Sequence, residues 1–243
     1  MDVLLLRLDA PLMSFGGVMV DHHNPTDLFP GASLLTGLFA NALGWAHGDA
    51  DRLNALQERL IFAARWDFYP EALRDYHTVD LGTAHMREYG WTTRGEPEHR
   101  GGGEARYMTH VRFRDYWANG LMTVAVSLVD RRAPRIEALE AALRRPARPL
   151  FLGRKSCLPS APILAGRMKA RNVLMALKEM PRAQRTGRKV TASMRARWPA
   201  DLDALHAEQL TSVYDRRDWR AQCHSGRRMV ADGYLELPPN ALG

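Results

Sequence analysis

The chain has 243 residues, 46% of them hydrophobic and 25% charged, a composition typical of folded globular proteins rather than of disordered or fibrous ones. It carries 34 lysine and arginine residues and a formal net charge of +7, which favours a polyanionic partner such as a nucleic acid. No run approaches the roughly 20 apolar residues of a membrane span, and Met1–Leu8 lacks the pattern of a secretory signal, so we expect a cytoplasmic protein without membrane contact.

Cysteines, histidines and glycines show no cofactor pattern. Cys157 and Cys223 stand far apart and give neither a disulfide framework nor the paired spacing of a zinc site. The nine histidines form no recognisable metal set with aspartate or glutamate. Gly153–Ser156 lacks the preceding glycine spacing of a Walker motif. We therefore expect no metal, no ATP and no other cofactor.

The N-terminal segment predicts a strand, a long loop and a helix. Val3–Leu8 is an apolar run too short for a helix and is typical of a strand buried on both faces. Residues 13–31 form a loop long enough to need a function or a partner. Apolar residues then repeat at helical spacing from Leu34 to Leu43, and Ser33 is available as the N-cap.

The chain then completes one strand–helix–strand unit and begins another. Asp51–Leu60 is an amphipathic helical segment, and Ile61–Tyr69 has the composition of a strand. Further on, Leu121–Val129 predicts a strand, Pro134–Arg145 a helix, and Leu150–Leu152 the returning strand. Two such units in tandem predict an α+β, ferredoxin-like (RRM-like) fold, which RNA-recognition domains share.

Two regions lie outside these units. Residues 80–119 contain Gly101–Gly103 and predict an inserted β-hairpin with a flexible tip. After Gly153 the chain becomes more basic, with one amphipathic helix predicted over Arg167–Met180. We divide the chain into an RNA-binding domain of residues 1–160 and a smaller basic C-terminal subdomain of residues 161–243.

Four segments stand in a specific order and spacing over roughly the first 160 residues. They are Leu6–Gly16, Phe29–Leu38, Arg74–Val79 and Pro149–Cys157. Together they resemble the CasD family, the type I-E CRISPR Cascade subunits of the repeat-associated RNA-binding (RAMP) superfamily.

The resemblance implies a ferredoxin-like body with a protruding hairpin thumb that caps the 5′ handle of a CRISPR RNA. It implies contacts with the CasC backbone subunit and the CasA large subunit, and target DNA within the complex. It also implies a protein that is not an enzyme, because CasE processes the RNA in type I-E systems.

The predicted RNA-binding residues are cations, aromatic rings, imidazoles and hydroxyls of the kinds that hold unpaired nucleotides. They are Arg7, Ser14, Phe15, His22, His23, Arg74, Tyr76, His77, Thr78, Arg106, Arg112, Arg114, Arg154, Lys155 and Ser156. Family members usually have Trp at position 15 and cations over residues 24–33, which this chain lacks. We therefore expect the grip to rest chiefly on Arg74–Thr78 and Gly153–Ser156.

Three other interpretations stay open at this point. Tyr76 and His77, with Lys155 stabilising charge, are the groups of a metal-independent endoribonuclease that processes CRISPR repeat RNA. Without the resemblance, the basic segments would favour solvated surface turns, and an RNA-binding protein outside CRISPR systems is a further alternative.

Overall fold

The computed structural model describes residues 1–17, 19, 22–80, 90–91, 97–98, 109–185 and 193–236. Its helices are α1 (Ala32–Ala42), α2 (Ala50–Arg59), α3 (Ile136–Arg144) and α4 (Val173–Glu179). Its strands are β1 (Asp2–Asp9), β2 (Leu12–Met13), β3 (His23–Asn24), β4 (Leu60–Phe68), β5 (Glu71–Asp80), β6 (Gly90–Trp91), β7 (Pro97–Glu98), β8 (Thr109–Ala118), β9 (Leu121–Leu128), β10 (Leu164–Lys169), β11 (Ser193–Pro199), β12 (Gln209–Val213), β13 (Arg217–Asp218), β14 (Cys223–His224) and β15 (Arg228–Glu236).

A central sheet of seven strands has the order β10-β1-β9-β4-β11-β15-β12, and all its pairings are antiparallel. Its first four strands come from two β–α–β stretches, one running from β1 through α1 and α2 to β4, the other from β9 through α3 to β10. The fold is therefore α+β with mostly antiparallel sheets, and this part of the fold prediction is confirmed.

The apolar run of β1 is buried because both faces of the central sheet are covered. Leu4, Leu6 and Leu8 belong to the core that also contains the buried residues of α1 and α3. Val3 and Leu5 face the other way and pack with α4. Since successive side chains of a strand alternate between faces, a strand covered on both sides needs an uninterrupted apolar run.

Three local predictions are wrong. Leu150–Leu152 form no strand, because the backbone of Leu152 bonds to Cys157 and Ser14; the returning strand is β10, which pairs with β1. The helix predicted from Arg167 begins only at Val173, where the side chain of Asn172 accepts a hydrogen bond from the Met175 amide. Helix α1 has Gly31 as its N-cap instead of Ser33.

The C-terminal part extends the central sheet. Strands β11, β15 and β12 continue it beyond β4, and β10, which completes the second β–α–β stretch, also lies after residue 160. The division of the chain at residue 160 stays a prediction. Within the described ranges, no helix is long and apolar enough to cross a membrane.

A second sheet is built around β8. β5 pairs with β8 over its whole length, from Glu71↔Ala118 to Asp80↔Thr109, while β2 and β3 also pair with β8. Strands β6 and β7 pair with each other. The remainder of the predicted hairpin tip, residues 81–89, 92–96 and 99–108, lies outside the described residues, and Arg106 lies there with it.

Candidate nucleic-acid interface

Arg154 joins three segments that are far apart in the sequence. Its guanidinium donates to the carbonyl oxygens of Asp115 and Asn24, both at 2.9 Å. It also lies 4.6 Å from the centroid of the Tyr116 ring. Arg154 thereby holds the turn after Gly153 against β8 and the end of β3. These contacts make it a positioning residue of the interface whatever else it binds.

Gly153 permits a close approach of two backbones. Its φ is +101°, and a Cβ at this position would lie 1.5 Å from the carbonyl oxygen of Ser14. The Ser14 amide donates to the carbonyl of Leu152 at 3.1 Å. Glycine adopts this conformation readily and leaves the space free. Gly153 therefore allows the loop of residues 13–31, the first loop, to lie beside the turn of residues 153–156, the Arg154 turn.

Asp115 is the centre of a charged cluster on the exposed β5–β8 pair. Arg74 donates to its two carboxylate oxygens at 2.7 and 3.1 Å, and His23 Nε2 lies 2.7 Å from Oδ2. The Arg74 hydrogen bond, with a smaller contribution from His23, lowers the pKa of the Asp115 carboxyl. Two of the Arg74 hydrogen bonds are thus made within the protein.

Replacing Asp115 by asparagine tests this cluster through pH. A lowered folded-state pKa contributes stability that is present above the unfolded value of ~3.9 and is lost as the pH falls through the folded pKa. Wild-type protein should therefore be more stable than Asp115→Asn at pH 7, and the difference should shrink below pH ~4. Urea unfolding at pH 7, 4 and 3 measures it.

Asp51→Asn is the matched control, because Asp51 pairs with Arg220 at a site where both side chains are more than 70% exposed. Its effect should be small at every pH. A difference for Asp115→Asn that stays constant from pH 7 to 3 would contradict the cluster.

A group of aromatic rings lies on the face of the β5–β8 pair that also carries Arg74 and Asp115. The centroid of the Phe113 ring lies 5.4 Å from the ring centroid of Tyr76 and 5.4 Å from that of His22. The Arg74 guanidinium lies 5.8 Å from the Phe113 centroid. Tyr76 is 58% exposed. Exposed rings beside a cation can stack unpaired bases, and Thr78 is exposed on this face as well.

The opposite face of the pair carries a different set. Arg112 and Arg114 alternate with Val111 and Phe113, as predicted, and by register Arg112 stands opposite His77. His77 Nε2 lies 2.5 Å from Asp75 Oδ2. Because neighbours in a strand point to opposite faces, Tyr76 and His77 do not face one common ribose. The geometry therefore does not favour the endoribonuclease.

Several predicted residues are placed elsewhere. Ser14 and Phe15 are only 2% and 5% exposed, and the Phe15 ring packs 6.0 Å from Trp66. Contrary to the prediction, Phe15 therefore offers no open face to a base. Arg7 lies in β1 and, by alternation with Leu5, on the side of the sheet that packs α4. Lys155 and Ser156 are exposed at the Arg154 turn.

The C-terminal part contributes to the interface, which the sequence did not indicate. A cavity of about 570 Å³ lies between the first loop, the start of α1, the Gly153 turn and residues 212–224. Tyr214, Arg217 and Trp219 line it. A second cavity of about 400 Å³ continues along α1 and shares some of these lining residues. The mixture of aromatic and basic residues at Tyr214, Arg217 and Trp219 could have indicated a nucleic-acid contact, but these residues form no recognisable sequence motif.

The described residues hold no group of three or more histidine, cysteine, aspartate or glutamate side chains placed to bind a metal ion.

Comparisons with known proteins agree on one family. The family model described as "CRISPR-associated protein (Cas_Cas5)" matches residues 3–231. "CRISPR system Cascade subunit CasD" of Escherichia coli (strain K12) is 33% identical over 182 residues, which are 72% of this chain and 75% of the relative.

Two solved structures are similar over nearly the whole chain. One, described as "CRISPR RNA-guided surveillance complex", has a TM-score of 0.74 at 25% identity and covers 98% of this chain and 92% of that chain. Another, described as "Crystal structure of Cas protein", has a TM-score of 0.61 at 24% identity, covers 98% and 96% respectively, and supports the fold alone.

Proposed function

Because the chain belongs to the CRISPR-associated Cas5 family, with CasD of Escherichia coli among its relatives, we propose that it is a non-catalytic subunit of a Cascade surveillance complex. In this role it binds and caps the 5′ handle of the CRISPR RNA and serves antiviral defence in the cytoplasm. The named relative is a Cascade subunit, and a similar solved structure is that of a CRISPR RNA-guided surveillance complex.

One observation carries the RNA-binding part of the proposal: separate predicted segments converge on one surface. The first loop, the β5–β8 pair and the Arg154 turn meet through the hydrogen bonds of Arg154 and the Asp115 cluster. Lys155 and Arg114 are exposed cations of these segments. Exposed cations can hold the phosphates of a single strand, and the open rings of Tyr76 and Phe113, on the other face of the β5–β8 pair from Arg114, can stack its bases.

Fold and partners complete the proposed role. The order β10-β1-β9-β4 supports a ferredoxin-like body, and the long β5–β8 pair supports a thumb that projects from it. The thumb contacts the CasC backbone subunit, and other surfaces contact the CasA large subunit close to target DNA.

The test neutralises exposed cations without touching Arg154, whose loss would loosen the fold. The complex is co-expressed with its CRISPR RNA, carrying either wild-type subunit or Lys155→Gln/Arg114→Gln. Each charged hydrogen bond is worth about 1.5–3 kcal/mol, so the double variant should bind handle RNA ~100-fold more weakly. RNA retained after a salt-gradient wash is measured by gel.

The matched control is Lys169→Gln/Arg171→Gln, which removes the same charge from exposed positions at the last residue of β10 and just after it. It should retain the RNA. Equal retention by the two double variants would refute the site, and site-specific cutting of repeat RNA by the chain in EDTA would refute the non-catalytic role.

A further inference from the structure

Several residues that line the 570 Å³ cavity beside the Arg154 turn carry buried polar atoms that lack partners. In the described part of the chain, four lining residues carry a buried side-chain atom without a hydrogen bond: Ser14 Oγ, Ser212 Oγ, Arg217 Nε and Trp219 Nε1. Ser14 and Trp219 are 2% and 7% exposed. Folded proteins leave few buried polar atoms unpaired, so this concentration at one cavity indicates a ligand that supplies partners.

The chemistry of these atoms selects an oxygen-rich ligand. The nitrogens of Trp219 and Arg217 only donate, and Arg154 is a further cationic residue that lines the same cavity. Asp215, which lies between β12 and β13 and contacts the start of α1, is already neutralised: Arg228 contacts both its oxygens at 2.6–3.0 Å, and the Ala32 amide donates to it at 3.2 Å. Trp219 Nε1 and Arg217 Nε therefore remain available for phosphate and ribose oxygens, whereas Arg217 Nη2 already donates to Gln222.

An acceptor and exposed aromatic surface are present as well. The Asp27 carboxylate lines the cavity and accepts no hydrogen bond from the described residues. Desolvation, followed by repulsion from Asp215, raises its pKa against the opposing effects of Arg197 and His224. Tyr214, 62% exposed, lies at the same cavity. A carboxylate can accept the N–H groups of a base edge, and a tyrosine ring can stack on its face.

We propose that this cavity binds one unstacked nucleotide of the guide RNA, with its phosphate toward Arg154 and Arg217 and its base edge toward Asp27. The inference rests on the proposed function and deepens it by naming the unit that the C-terminal part binds. The volume lies within the ~300–1,000 Å³ range of small-ligand pockets.

The test uses the full chain, calorimetry and five probes: the four nucleoside 5′-monophosphates and inorganic phosphate. At least one nucleotide should bind about tenfold more tightly than phosphate, because the base and ribose add contacts. Trp219→Phe should weaken that nucleotide about tenfold through the lost donor. The same variant should keep or raise the melting temperature of the free chain, since it removes an unpaired buried N–H.

Trp198→Phe is the matched control, because Trp198 Nε1 donates to the carbonyl of Asp203 at 2.8 Å in the core. It should lower the melting temperature and leave nucleotide affinity unchanged. Phosphate binding as tightly as every nucleotide, or nucleotide affinity unchanged in Trp219→Phe, would overturn the inference.

Two results in the assembled complex separate this inference from the proposed function. If Trp219→Phe loses a protein subunit but keeps its RNA, the cavity is a protein-docking groove and the inference fails. If the wild-type complex assembles without RNA contact to this chain, the proposed function fails, whether or not the isolated chain binds mononucleotides.

Discussion

Gly153→Ala is expected to lower the free energy of unfolding by ~2–5 kcal/mol, because it adds the cost of a left-handed backbone to that of overpacking. The φ of +101° disfavours any side chain, and the new Cβ would overlap the Ser14 carbonyl oxygen at 1.5 Å. That contact is with backbone, so no rotamer change relieves it. The Arg154 turn must move away from the first loop, and handle RNA retention should fall with stability. Chemical denaturation followed by circular dichroism measures the change.

Two other glycines separate the causes of this effect. Gly16 has a φ of +86°, but an added methyl group would meet no atom within 4 Å, so Gly16→Ala should cost only the backbone part, ~1–2 kcal/mol. Gly166 has neither a positive φ nor a close neighbour. Gly166→Ala should therefore be nearly neutral. If Gly153→Ala is no more destabilising than Gly16→Ala, the close approach to Ser14 is absent.

The elements that periodicity predicted are those whose packing is uniform along their length. β1 is apolar throughout because both of its faces are covered. α1, α2 and α3 each bury one stripe, and the predicted bounds differ from the observed ones by only a few residues. Local sequence determines such elements because every buried position repeats the same environment.

The C-terminal strands were missed because polar residues interrupt their pattern. β11 does alternate, with Met194, Ala196 and Trp198 buried. Its partner β15 buries Asp232, which receives two hydrogen bonds from Arg197 at 2.8 and 2.9 Å. From sequence alone, an aspartate within a strand predicts a solvent-exposed position unless its charged partner is known. The pairing across 35 residues, which a local pattern does not contain, supplies that partner.

The residue types of the candidate interface were predictable from the sequence. Which of its cations bond within the protein was not. Arg74 and Arg154, both singled out from the sequence, each contact Asp115, and their binding of RNA stays a prediction. The sequence did not reveal that Asp115 engages Arg74, or that Arg154 bonds to backbone carbonyls. Both partners are distant in the chain. Long-range pairing therefore decides which cation bonds within the fold and which stays exposed.

Arg65→Met is expected to lower the free energy of unfolding by ~3–5 kcal/mol, because it leaves the Asp67 carboxylate buried without its counter-charge. Arg65 and Asp67 are both fully buried, with Nε and Oδ1 2.8 Å apart. Arg65 also donates to the carbonyl oxygens of Leu177 and Pro181. The pair thus joins β4 to the end of α4. Guanidinium chloride unfolding at pH 7 measures the loss.

The double variant Arg65→Met/Asp67→Leu distinguishes lost charge pairing from lost packing. Removing both charges eliminates the unpaired carboxylate, so the double variant should be at least as stable as Arg65→Met alone. Arg144→Met removes an exposed cation from Glu140, which keeps its contact with Arg167, and should change stability by less than ~0.5 kcal/mol. Purely additive losses in the double variant would show that each side chain acts independently. Coupled losses would instead make this buried pair the link by which α4 and the segment after it are fixed to the central sheet.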